Sequence, residues 1–252
     1  MYKRQARLGD PAIQVQDEDL DGSVRFGLVR GNRIVTNEGG FDLRAGHVGG
    51  RVVCEQNRVE VTDASGHSVF ELFPTRSDGT GEIVVRNNVA LGASSYRAIY
   101  CVNVEDLERV VVVNNTIALS PTTYTQAASA TLEITSREAA PASLPFTAVN
   151  NIFVGVGPTT AVKTPAGLSL DADYNLYEGY GILYEGGGTS TGADDLIGVD
   201  PLLAGDLLEP GAGSPAVDSG AGAADYADVP ADDFDGTARP VGAGVDRGAH
   251  ER

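Results

Sequence analysis

An apolar run that stops at an asparagine, turns and resumes constrains this chain more than any other feature. Its clearest copy is Val110-Val111-Val112-Val113-Asn114-Asn115-Thr116-Ile117-Ala118-Leu119. Variants surround Asn32, Asn57, Asn88, Asn151 and Asn175, so successive asparagines lie 25, 31, 27, 36 and 24 residues apart. A loose period of that size marks a stacked repeat, in which one unit cannot bury its own apolar face and needs a neighbour.

A further apolar run precedes each copy. These runs are Ala12-Ile13-Gln14-Val15, Phe41-Asp42-Leu43-Arg44, Val69 to Phe73, Ala98 to Val102, Thr131 to Ile134 and Ala161-Val162-Lys163. Each repeat thus carries three short Val/Ile-rich strands separated by Gly, Ser, Asp, Thr and Pro. No stretch keeps a helical period; Ala127 to Ala140 comes nearest, and its Thr131, Ile134 and Thr135 favour strand. The expected fold is all-β: a right-handed parallel β-helix with three strands per coil over residues 12–193. The asparagines should stack at one corner. A buried amide left without partners costs about 1–3 kcal/mol, so such a ladder is useful only if continuous.

The chain of 252 residues has 18 basic and 35 acidic side chains, a net charge of 18 − 35 = −17. That balance argues against nucleic acid and anionic membrane surfaces as partners, because phosphate binding needs a basic face. No apolar run reaches the ~20 residues of a membrane span, so no membrane insertion is expected. Cys54 and Cys101 both lie inside apolar runs and read as buried thiols. The opening Met1-Tyr2-Lys3-Arg4-Gln5 resembles translated adapter sequence, so residues 1–11 are expected to be a non-native or fragment start, with coils missing before them. A monomer is expected.

From residue 194 the composition changes. Thirteen acidic and three basic residues accompany abundant Gly, Pro and Ala, too few large apolar residues for a separate core. Residues 194–252 are expected to cap the solenoid, packed over its last coil as extended segments. Arg239 and Arg247 are expected to tie carboxylates together where the tail folds back.

The tail reads Asp200-Pro201-Leu202-Leu203, then Gly213-Ser214-Pro215-Ala216-Val217-Asp218-Ser219-Gly220. It closes with Asp235-Gly236, Arg239-Pro240, Gly242 and Asp246-Arg247-Gly248-Ala249-His250-Glu251. This order resembles the C-terminal module of bacterial right-handed parallel β-helix proteins, the choice-of-anchor group of the pectate-lyase-like superfamily. The resemblance covers the tail closely and the coils in pattern only. It implies an exported, secreted or cell-surface protein, and many such proteins act on polysaccharides. This copy departs from the pattern in having no visible sorting segment after Glu251. Fold alone does not imply an activity.

Side chains alternate between the faces of a strand. With Ile13, Val15, Leu43, Phe70, Leu72, Ile99, Cys101, Leu132 and Ile134 inward, one outward column reads Gln14, Asp42, Glu71, Tyr100, Glu133 and Lys163. A second reads Gln16, Arg44, Phe73, Val102 and Thr135. The outward face of the strands before the asparagines is plainer, with Val53, Val84 and Val111 in one column. The first face is the better candidate for a site, and the resemblance points to the same strands. A retaining glycosidase needs carboxyls about 5–5.5 Å apart, which suits Asp42 and Glu71; an inverting one needs about 6.5–9.5 Å, approached by Glu71 and Glu133. A uronan lyase needs a base and a cation, for which Arg44, Tyr100, Lys163 and His47 are available. The rival is a non-catalytic solenoid whose face is merely solvated by cross-strand charge pairs. The absence of tryptophan limits sugar platforms to Tyr and Phe.

Asp17-x-Asp19-x-Asp21-Gly22 resembles the opening of a calcium loop, with carboxylates at alternate positions. Leu28 stands where an EF-hand needs its glutamate, so only a shorter calcium loop fits. Asp232, Asp233 and Asp235 before Gly236 form a weaker candidate. Calcium could bridge this acidic protein to an acidic glycan. His47, His67 and His250 lack metal-site spacing and read as loop histidines. Gly188-Thr189-Ser190-Thr191-Gly192 lacks the strand and helix that a nucleophile elbow requires. The expected function is polysaccharide binding or cleavage on the first face; the alternative is a structural spacer.

Overall fold

A computed structural model describes residues 12–16, 26–37, 39–45, 49–62, 68–74, 81–94, 97–121, 130–136, 146–155, 160–166, 170–186 and 192–252. The described chain is a parallel β-solenoid with three strands per coil. Sheet A comprises Ile13–Gln16, Phe41–Ala45, Phe70–Pro74, Ile99–Cys101, Ala130–Ile134, Thr160–Lys163 and Ile182–Glu185. Sheet B comprises Phe26–Arg30, Arg51–Glu55, Glu82–Arg86, Arg109–Val113, Phe146–Val149 and Asp171–Asp173. Sheet C comprises Arg33–Thr36, Arg58–Val61, Val89–Ser94, Thr116–Pro121, Ile152–Val154, Leu176–Glu178 and Leu196–Ile197. Within each of these sheets every pairing is parallel and joins a strand to its counterpart in the next coil. Among the described residues the one helical turn is Val104–Asp106. The possible helix around Ala127 to Ala140 is, where described, the strand Ala130–Ile134.

Alternation explains the core. Phe41, Leu43, Phe70, Leu72, Ile99, Cys101, Leu132 and Ile134 are inward from sheet A and buried. They meet Cys54, Ile83, Val85, Val110 and Val112 from sheet B. Like residues stack from coil to coil: the Phe41 and Phe70 rings lie 5.5 Å apart, as do Phe153 and Tyr177. Both cysteines are free and buried, and burial pushes each thiol well above its usual range.

The asparagines form the corner between sheets B and C. Asn57, Asn88, Asn115, Asn151 and Asn175 are completely buried. Each amide oxygen accepts two hydrogen bonds from the preceding ladder residue. Asn57 Oδ1 takes the backbone N–H and the Nδ2 of Asn32, both at 2.9 Å, and the pattern repeats through Asn175. The remaining Nδ2 proton goes to a strand carbonyl, as from Asn88 to Cys54 and from Asn115 to Val85. Every amide from 57 onward is thereby satisfied, which is what permits its burial.

The residue before each ladder asparagine has a left-handed backbone: Gly31, Gln56, Asn87, Asn114, Asn150 and Tyr174. That conformation turns the chain from sheet B into sheet C. Asparagine tolerates it better than most residues, which explains the doublets Asn87-Asn88, Asn114-Asn115 and Asn150-Asn151.

The C-terminal segment lies differently from the expectation. It does not sit only over the last coil; it runs along the outside of the solenoid, back to the coil of Gln56 and Arg58. The reason is the apolar outer column of sheet B. Val53, Val84, Val111, Val113 and Val149 are covered by Ala221, Val229 and Val245 and by Tyr226. Ala216 and Leu203 likewise pack with Ile152, Val154, Leu176 and Leu196 of sheet C. Leu196–Ile197 pairs with Leu176 and Tyr177, so the solenoid continues slightly past residue 193.

Candidate functional site

The C-terminal segment covers the outer apolar columns of sheets B and C. Among the described residues, the outer column of sheet A carries charged and aromatic groups instead. Register places the predicted residues on successive rungs: Gln14 beside Asp42, Asp42 beside Glu71, Glu71 beside Tyr100, Tyr100 beside Glu133, and Glu133 beside Lys163. Parallel strands lie about 4.8 Å apart, so these side chains form one contiguous line. Arg44 stands in the neighbouring column, beside Phe73 of the next strand.

The charges on this line are paired. Asp42 is buried, and Arg44 on the same strand grips both its oxygens, with Nε at 2.9 and 3.1 Å and Nη2 at 2.7 Å. Gln14 Nε2 donates to Asp42 Oδ2 at 3.2 Å. Glu133, also buried, accepts from Arg97 Nε. Lys163 Nζ lies 3.2 Å from Glu185, the next rung, which also accepts from Thr160. The guanidiniums stack on the aromatic pair as well. Arg44 lies 5.2 Å from the Phe73 centroid and Arg97 lies 4.0 Å from that of Tyr100. Phe73 and Tyr100 meet edge to face at 6.5 Å. The result is a strip of planar groups, Arg44–Phe73–Tyr100–Arg97, flanked by Asp42, Glu71 and Glu133.

The structure therefore brings Asp42, Arg44, Glu71, Tyr100 and Glu133 onto one strip, with Lys163 at its far end. Of the two proposed carboxyl pairs, Asp42 and Glu71 are on adjacent rungs, and Glu71 and Glu133 are separated by the Tyr100 rung. Asp42 and Glu133 are each engaged by a guanidinium, Asp42 from its own strand and Glu133 from the residue that leads into the strand before it. Strand alternation and the repeat pattern do not point to two further members, Arg97 and Glu185. Arg97 lies before its strand rather than in it, so alternation does not reach it. Glu185 sits on a strand that the repeat pattern did not include.

The calcium candidate Asp17, Asp19 and Asp21 lies outside the described residues, as do His47, His67 and Ser190. In the second acidic segment, Asp233, Asp235 and His250 offer ligand atoms within 4.8 Å of one another. Their atoms already serve the fold. Asp233 accepts the N–H groups of Asp235, Thr237 and Glu251. His250 joins Asp235 through Nδ1 at 3.1 Å and the Leu207 carbonyl through Nε2 at 3.0 Å.

Arg239 and Arg247 are clamps, though mostly of carbonyls rather than of carboxylate pairs. Arg239 binds Glu251, the Asp232, Asp246, Gly248 and Ala249 carbonyls, and Asn87 Oδ1. Arg247 donates to the carbonyls of Ser219, Asn175 and Asp194. Burial lowers the affinity of both guanidiniums for their proton, and nearby carboxylates oppose that shift. Gly248 closes this region against the solenoid: its φ is +89°, and a Cβ there would lie 2.6 Å from Thr116 Oγ1.

No family model matches the chain, and neither the curated proteins nor the solved structures include a detectable match.

Proposed function

We propose that the chain is a polysaccharide-binding solenoid of an exported protein, with its glycan on the outer strip of sheet A. The observation that carries this reading is the strip itself. Phe73 and Tyr100 offer apolar ring area for sugar C–H faces, and Arg44, Asp42, Glu71, Arg97, Glu133 and Lys163 offer donors and acceptors for hydroxyls. Rungs repeat along one direction, as does a linear polymer. The finer assignment, a pectate-lyase-like β-helix with a choice-of-anchor module, is supported by the order of the tail motifs from Asp200-Pro201 to Asp246-Arg247-Gly248. The secreted or cell-surface location comes with that assignment. Calcium at Asp17, Asp19 and Asp21 belongs to the same proposal.

The test is a binding screen against neutral and acidic polysaccharides, with calcium and with chelator. Phe73→Ala and Tyr100→Ala should each weaken the best binder by about tenfold or more. Undiminished binding by both variants would remove sheet A as the site. The same incubations, followed for new reducing ends and unsaturated uronates, separate binding from cleavage; product formation lost in Glu133→Gln would establish an enzyme. The pairing of Asp42, Glu133 and Lys163 with charged neighbours favours a second reading, a non-catalytic structural solenoid. Silence in every assay would select it.

A further inference from the structure

A second site lies away from sheet A, where the first described turns of the B–C corner meet the C-terminal segment. A cleft of about 590 Å³ is lined there by residues that include Arg30, Asn32, Arg33, Arg58, Asp206, Leu207, Phe234 and Asp235. Its size falls within the range of small-ligand sites. In a chain of net charge −17, three arginines converge on it.

The arginines differ in engagement. Arg58 is buried and spends its donors on Glu60 and the Asp206 carbonyl. Arg30 donates to Gln56 and lies 3.6 Å from both Glu55 and Asp232. Arg33 is exposed, and no described carboxylate lies within ion-pair distance of it. Among the described residues Asn32 is the first of the ladder: its amide donates to Asn57 and to the Arg30 carbonyl, and no described group donates to its amide oxygen. The walls are held rather than loose. Buried His250 ties Leu207 to Asp235, both of which line the cleft, and its ring packs 5.1 Å from Phe234.

We propose that this cleft binds one anionic sugar unit, with the anionic group, a carboxylate or a sulfate ester, on Arg33 and Arg30. The planar guanidinium fork suits either oxyanion. Asp206, Asp235 and the Asn32 amide oxygen accept from hydroxyls, and the Phe234 ring takes a C–H face. A bare inorganic anion would meet two carboxylates with nothing to offer them. A neutral sugar would leave Arg33 unused. This inference rests on the polysaccharide reading for its ligand class but on different residues, so the two can fail separately.

Titration calorimetry on the full chain tests it with three probes: a glucuronate-containing trisaccharide, a sulfated galactan trisaccharide and neutral maltotriose. At least one anionic probe should bind, and maltotriose should bind about tenfold more weakly or not at all. Arg33→Ala should weaken the anionic probe about tenfold and Arg33→Glu should abolish it, with Arg33→Lys partly retaining it and melting unchanged in all three. Binding of the carboxylated or the sulfated probe alone identifies the oxyanion. Failure of both anionic probes, equal affinity for maltotriose, or indifference to Arg33→Glu would overturn the proposal. If Tyr100→Ala leaves trisaccharide binding intact while Arg33→Glu removes it, the cleft stands whatever becomes of the sheet A strip.

Discussion

Asp195 Oδ1 accepts the backbone N–H of Asn175 at 2.8 Å, taking the role that each ladder asparagine plays toward the one before it. The amide stack therefore ends on a carboxylate. Its second oxygen accepts the Gly192 N–H at 2.9 Å and faces the Tyr184 hydroxyl at 3.4 Å. Burial raises Asp195 to about 6 despite these hydrogen bonds. Tyr184 and Tyr177 beside it are also pushed up by burial.

A stability profile follows from Asp195 and from Asp246, which burial likewise raises to about 6. Between the ordinary value of 3.8 and about 6 the folded form holds protons that the unfolded chain has released. The contribution of each group to stability is therefore full below its unfolded value and is lost as pH rises through about 6. These two groups should raise the melting midpoint as pH falls from 7.5 to 5. Asp195→Asn, which keeps an acceptor and cannot ionise, should reduce that rise. An identical pH profile for the variant in thermal melts would refute the assignment.

The ladder should be unequal along its length. Asn115→Ala strips the acceptor from Asn88 and leaves buried donors behind, at a cost of about 1–3 kcal/mol for each unsatisfied group. Asn32→Ala removes donors at a half-buried end and should cost well under half as much. Urea unfolding of both variants checks the ratio; equal losses would mean that the stack is not continuous.

Arg239 and Glu251 are both almost fully buried, and Arg239 also holds four carbonyls of the C-terminal segment. Removing one partner of a buried ion pair costs about 3–5 kcal/mol. Arg239→Met should therefore release the segment from sheet B before the solenoid melts. Limited proteolysis would then cut within residues 194–252 first. Arg239→Lys should fail to rescue, because an ammonium cannot reproduce the fork. Cleavage sites unchanged from the parent chain would disprove the clamp.

Asn114 has φ of +52° and gives its Nδ2 to the carbonyls of Asp246 and Gly248. Asn114→Gly keeps the turn and loses the side-chain hydrogen bonds, those to the segment and the one from Asn150, whereas Asn114→Ala loses both. Chemical denaturation should show Ala as the more destabilised by about 1 kcal/mol. The reverse order would show that the turn is not under conformational demand there.

Much of this molecule can be read along the chain. Asn57, Asn88, Asn115, Asn151 and Asn175 announce the ladder because each repeats the same local sentence. Leu43, Leu72 and Ile99 announce the inward face because strand alternation is a two-residue rule. The outward column from Gln14 to Lys163 follows from the same rule, and register places those residues side by side. Other features depend on partners far away in sequence. Val53, Val84 and Val111 read as a plain outer column, yet they are covered by residues more than a hundred positions later. Asn87, Asn114 and Asn150 stand next to ladder asparagines in the chain, yet their side chains hold the C-terminal backbone. Arg97 reaches Glu133 from outside its strand, and His250 joins Leu207 to Asp235. The amino-acid sequence by itself determined the period, the strands and the side each residue faces, since these are set by neighbours in the chain and by the pleat. Only the tertiary structure decided which outer faces are covered and which charges are paired, because both depend on where a segment without a repeat of its own finds apolar surface and unsatisfied donors.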